Sequence, residues 1–81
     1  MSIARNIRLR EAMLFGSHGW NTGDGARRAS MSQAQWGAYR RGKGYCSRTM
    51  QERLCIALRL PPGALLWTAQ EIVAFPTSSA S

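Results

Sequence analysis

Acidic residues are scarce in this 81-residue chain: Glu11, Asp24, Glu52 and Glu71 stand against eleven Lys and Arg. They are scattered singly, and His18 is the lone histidine. No spaced acid–base pair or nucleophile–base set results, so the chain is not expected to be an enzyme. The two cysteines, Cys46 and Cys55, lack CxxC spacing and lie far from His18 in sequence. A zinc site needs about four ligands, so no metal and no cofactor is expected, and both cysteines read as free thiols in a reducing compartment. No run of about eighteen apolar residues is present to span a bilayer. Nor is there a secretory apolar segment near the N-terminus. The expected location is cytoplasmic, with no membrane association.

Positive charge is abundant. The formal net charge is +7, while 44% of residues are hydrophobic, enough for an ordinary globular core. Such a chain should fold and should attract polyanions, because Lys and Arg replace condensed counterions on phosphates. At this length only one domain fits, and its small core favours local helical contacts or help from a second subunit.

Residues 3–14 place Ile3, Ile7 and Leu14 at helical spacing beside Leu9 and Met13, with Ser2 as N-cap. Residues 15–23 (FGSHGWNTG) break that pattern and predict a loop, with Phe15 and Trp20 as its anchors. Residues 24–41 resume helical character with a break at Ser30–Ser32, giving two short helices. Ser32 caps the second, whose Trp36 and Tyr39 form a bulky inner face opposite Gln33, Ala34, Gly37 and Ala38. Arg41–Gly44 ends it. A fourth helix is expected from Thr49, where Thr49–Glu52 reads as a capping box, and it carries Leu54, Cys55, Ala57 and Leu58 inward. Pro62 then opens a fifth helix with Ala64–Trp67. Glu71–Phe75 fits either a helix extension or a strand, and residues 76–81 are expected to be disordered.

The stretch Met31–Lys43 (MSQAQWGAYRRGK) resembles the turn, recognition helix and closing basic segment of the Cro and lambda-repressor-like helix-turn-helix family. Ala26 stands where that family keeps a small residue between its two helices, and Trp36 where it keeps an apolar one. Leu54–Leu60 and Gly63–Leu66 are similar to its later helices. The similarity covers roughly residues 3–67 and implies an all-α, compact five-helix domain over residues 1–75, with the helix-turn-helix at about 24–41. Departures are visible. Ser30 replaces the turn glycine, Gly25 replaces an apolar residue, and the loop after the first helix is longer. Arg40 replaces the acid that pairs with a helix-one arginine, here Arg10, leaving Glu11 to form the reversed pair.

The resemblance implies a sequence-specific double-stranded DNA-binding regulator, a repressor of phage or mobile-element type, working as a homodimer on a palindromic operator. Ser32, Gln33, Ala34, Gln35, Gly37 and Ala38 are the candidate base-reading residues, Gln33 first because its amide matches adenine. Gln35 is equally suited to point sideways toward a phosphate. Thr22, Arg41, Lys43 and Arg48 are the candidate phosphate contacts. Gly37–Lys43 also matches the start of a phosphate-binding loop, but it lacks the following Ser or Thr and the preceding strand. Two other readings are an RNA-binding protein and an antitoxin-like module whose Trp67–Phe75 segment clasps a protein partner.

Overall fold

The computed structural model describes residues 3–21 and 23–77, so the expected Ser2 cap lies outside them. The first helix, α1 (Ile3–His18), buries Asn6, Ile7, Arg10, Glu11 and Leu14, spaced so that they share one helical face. Ile7 and Leu14 are fully buried, and Ile3, Leu9 and Met13 pack at the edge of the core, as the apolar spacing implied. The other three places on that face are polar. A buried polar group is costly unless it is hydrogen-bonded, and each of the three has its partners.

Asn6 donates through Nδ2 to the carbonyls of Leu65 and Trp67, both at 2.8 Å. Arg10 is wholly buried, and its guanidinium spreads over five backbone carbonyls. Nε donates to Leu58 at 2.8 Å, Nη2 to Arg59 at 2.9 Å and Pro76 at 2.7 Å. Nη1 donates to Phe75 at 2.7 Å and, more weakly, to Ile72 at 3.5 Å. These oxygens lie at the ends of the fourth and fifth helices, where carbonyls lack partners in their own helix and a cation is favoured. Burial, and then the neighbouring Arg59, lower the Arg10 pKa from its usual value. Glu11 turns toward the third helix.

Helix α1 runs one turn beyond its expected end at Leu14. Ser17 Oγ donates to the Met13 carbonyl at 2.8 Å, Arg59 Nη1 meets His18 Nδ1 at 3.0 Å, and Gly19 at φ +66° ends the helix. Trp20 anchors the connection that follows, at 6% exposure. Phe15 does not, being helical and 41% exposed.

The pair α2 (Asp24–Arg28) and α3 (Gln33–Arg40) is joined by residues 29–32. Helix α4 (Arg48–Ala57) starts from Ser47, whose Oγ accepts from the Met50 amide at 3.3 Å, and not from Thr49. Its inward residues, Leu54, Cys55, Ala57 and Leu58, are buried as spaced. The fifth helix departs from expectation. Pro62 heads no α-helix, and Ala64–Leu66 form a single 3-10 turn. The last helix, α5 (Ala69–Ala74), is capped by Thr68 and Glu71 in a reciprocal box, so Glu71–Ala74 are helical.

Ile72 of α5 is fully buried, and Trp67 meets Phe75 edge-to-face with ring centroids 5.7 Å apart. Trp67, Ile72 and Phe75 of the Trp67–Phe75 segment thus pack on the chain's own core, while Val73 is exposed. Pro76 and Thr77, expected in a disordered tail, are held by Arg10 and by Arg59 Nη1, which donates to the Thr77 carbonyl at 3.2 Å. Residues 78–81 lie outside those described. The architecture is all-α: five α-helices and one 3-10 turn, with no strand among the described residues. Among the described residues no helix is long and apolar enough to cross a membrane.

Candidate functional site

The link from α2 to α3 fixes how α3 is presented. Ser30 takes φ +58°, while its amide reaches the Arg27 carbonyl at 3.2 Å and the Met31 amide reaches that of Ala26 at 3.0 Å. This is the helix ending that normally takes glycine. Serine therefore holds the left-handed conformation that the missing turn glycine would supply. Ser32 then caps α3, its Oγ accepting from the Gln35 amide at 3.1 Å.

One face of α3 is locked inward. Trp36 and Tyr39 are its buried residues. Trp36 Nε1 donates to Glu11 Oε2 at 2.7 Å, and Arg40 Nε donates to Glu11 Oε1 at 2.7 Å. One carboxylate on α1 therefore grips successive turns of α3, and the reversed Glu11–Arg40 pair is present. Arg8 adds a bond to the Arg40 carbonyl. Beneath, the Trp36 ring fills the volume that a side chain at Gly25 would need, since a Cβ there would lie 2.2 Å from Trp36 Cζ2. The glycine at 25 and the large ring at 36 are thus complementary, and Ala26, 2% exposed, permits the same close approach.

The other face is open. Ser32, Gln33, Ala34 and Gln35 are exposed, and Gly37 and Ala38 are half-buried. The Gln33 amide lies over the start of α2, its Nε2 being 2.7 Å from where a Cβ on Gly23 would stand. Gln35 departs from this group, with Nε2 donating to Tyr39 Oη at 3.2 Å and approaching Met50 Sδ at 3.8 Å. Its amide faces α4.

Cations follow α3 in the chain. Among the described residues Arg41, Lys43 and Arg48 are exposed and make no hydrogen bond or ion pair through their side chains. Their neighbours are engaged: Arg27 with Asp24, Arg28 over the Trp20 ring at 5.5 Å, and Arg53 with the Ser30 carbonyl at 3.5 Å. Arg41 folds back so that Nη1 is 3.1 Å from the position of a Gly37 Cβ. Tyr45, between Lys43 and Arg48 in sequence, is 84% exposed. Neither α3 nor α4 has an acid in its first turn, and Arg48 opens α4. A cation there repels the positive end of the helix, a cost that a bound anion would offset. Thr22 lies outside the described residues.

The sequence reading overlooked two determinants of this geometry, the double role of Glu11 and the Gly25–Trp36 fit. The signal for the first was an acid at helical spacing from Ile7 and Leu14, where an apolar residue would ordinarily stand. Elsewhere, burial pushes the Cys46 and Cys55 thiols up, so both stay protonated at neutral pH. No known family model, curated protein sequence or solved structure matches the chain.

Proposed function

We propose that this chain is a sequence-specific double-stranded DNA-binding transcriptional regulator. In this proposal α2 and α3 form a helix-turn-helix unit of the Cro and lambda-repressor type, and α3 enters the major groove. The observation that carries the proposal is the outward face of α3, small and polar at Ser32, Gln33, Ala34, Gly37 and Ala38, followed in the chain by the exposed Arg41, Lys43 and Arg48, whose side chains have no hydrogen-bond or ion-pair partner among the described residues. Short side chains let a helix approach base edges, and the Gln33 amide offers the paired donor and acceptor that adenine requires. Lys43 and Arg48 supply positive charge to neutralise backbone phosphates. Glu11, holding Trp36 and Arg40, fixes the rotation at which that face is presented. A single module of this size contacts few base pairs, so a homodimer on a palindrome with half-sites about one helical turn apart supplies the specificity a repressor needs.

Selection of bound duplexes from a random pool tests the proposal. One enriched palindrome, retained against single-stranded DNA and duplex RNA as competitors, supports it. Enrichment of nothing, or preferential loss to an RNA competitor, overturns it.

A further inference from the structure

We propose that Arg41 is a base-reading residue that recognises guanine, so that α3 specifies an adenine through Gln33 and a guanine through Arg41 within one half-site. This inference rests on the DNA-binding function proposed above.

Arg41 follows the last residue of α3, a position that by itself suggests phosphate contact beside Lys43. The side chain goes elsewhere. Side chains on a helix lean toward its N-terminus, over the turn before their own. At position 37 that turn carries no side chain, and the Arg41 guanidinium occupies the opening: a Gly37 Cβ would lie 3.1 Å from Nη1, 3.8 Å from Cζ and 3.9 Å from Nη2. Gln33, Gly37 and Arg41 are four residues apart and so share one stripe. The guanidinium therefore lies on the outward face of α3 together with the Gln33 amide.

Its donors are also free. Arg40, next in sequence, is committed to Glu11, and Arg27 is committed to Asp24. Arg41 has no such partner among the described residues. The planar guanidinium fork matches the O6 and N7 acceptors of guanine, and that pairing is the commonest specific contact in the major groove. The two groups can be placed along the helix axis. Gln33 leans back over the start of α2 and Arg41 leans back to Gly37. At 1.5 Å per residue they are separated by about 6–10 Å, or about two to three base-pair steps.

The test compares the full chain with Arg41→Ala on three duplexes: the selected operator, the same operator with the assigned guanine pair replaced, and a scrambled duplex. The expected operator carries a guanine about two to three base pairs from an adenine in each half-site. Wild type should lose about 5- to 150-fold per half-site when that guanine is replaced. The Arg41→Ala variant should bind the first two duplexes equally. If Arg41→Ala instead weakens all three duplexes by one common factor, Arg41 is a phosphate contact; the inference is then overturned while the DNA-binding function stands. If wild type binds no duplex, both are overturned. Circular dichroism of Arg41→Ala, an exposed position, verifies that the variant is folded.

Discussion

Gly25→Ala probes the contact on which the presentation of α3 depends. The added Cβ would stand 2.2 Å from Trp36 Cζ2 and 2.6 Å from Cε2. Carbon atoms in contact settle at about 3.5–4.0 Å, so the ring has to withdraw by more than about 1 Å. It has little freedom to do so, because the ring is 5% exposed and its Nε1 is held at 2.7 Å by Glu11. Overpacking of this kind costs about 1–3 kcal/mol, and weakening a hydrogen bond to a charged group adds about 1.5–3 kcal/mol. Replacing a helical glycine returns about 1 kcal/mol. The net expectation is a loss of about 1.5–5 kcal/mol, a large fraction of the stability of a domain this size. In thermal unfolding followed by circular dichroism, Tm should fall by about 6 °C or more. Gly25→Ala/Trp36→Leu, which empties the ring volume, should be less destabilised than the sum of its single variants. An unchanged or higher Tm for Gly25→Ala alone would refute the packing of α2 against α3 described above.

Arg10→Met leaves the carbonyls of Leu58, Arg59, Phe75 and Pro76 without their donor and should cost about 3–5 kcal/mol in urea unfolding; a cost below about 1 kcal/mol would mean that water replaces the guanidinium. Ser30→Gly relieves a left-handed serine and should raise stability by up to about 1 kcal/mol without altering DNA affinity, as chemical denaturation and anisotropy together would report. Because burial raises both thiol pKa values, alkylation of the native protein at pH 7 should be slower than that of a free thiol and should accelerate as pH rises, the thiolate being the nucleophile. Cys46, half-exposed, should label before the buried Cys55; rapid labelling of Cys55 would contradict its burial.

The elements nearest the candidate site were the most legible in the sequence. Ser32 followed by Trp36 and Tyr39 carries a cap and a helical spacing at once, and α3 lies within a residue of where those signals put it. The rest of the fold was obscured where a local signal competed with tertiary bonding. Gly16 and Ser17 read as a loop, but the last turn of α1 is held from outside by Arg59 at His18. Thr68 and Glu71 form the kind of capping pair that the Thr49–Glu52 sequence suggests, whereas Pro62, a residue suited to a helix start, precedes only the 3-10 turn at Ala64–Leu66. Hydrophobic spacing has no term for buried polar residues, so it missed Asn6, Arg10 and Glu11, whose partners are distant in sequence. In the candidate site, residue type indicated the open face of α3, whereas the directions taken by Gln35 and Arg41 depend on Tyr39, Met50 and Gly37 and become visible only in three dimensions.

The most direct measurement of the central claim is an amide chemical-shift titration of the isotope-labelled protein with the selected operator duplex. If α3 enters the groove, the largest changes should fall on Ser32–Ala38 and on the Arg41–Arg48 segment, while Leu9 and Val73, on the side formed by α1 and α5, should be nearly unmoved. Changes confined to the α1 and α5 surface, or none at a duplex concentration that saturates anisotropy, would contradict a DNA interface on α3.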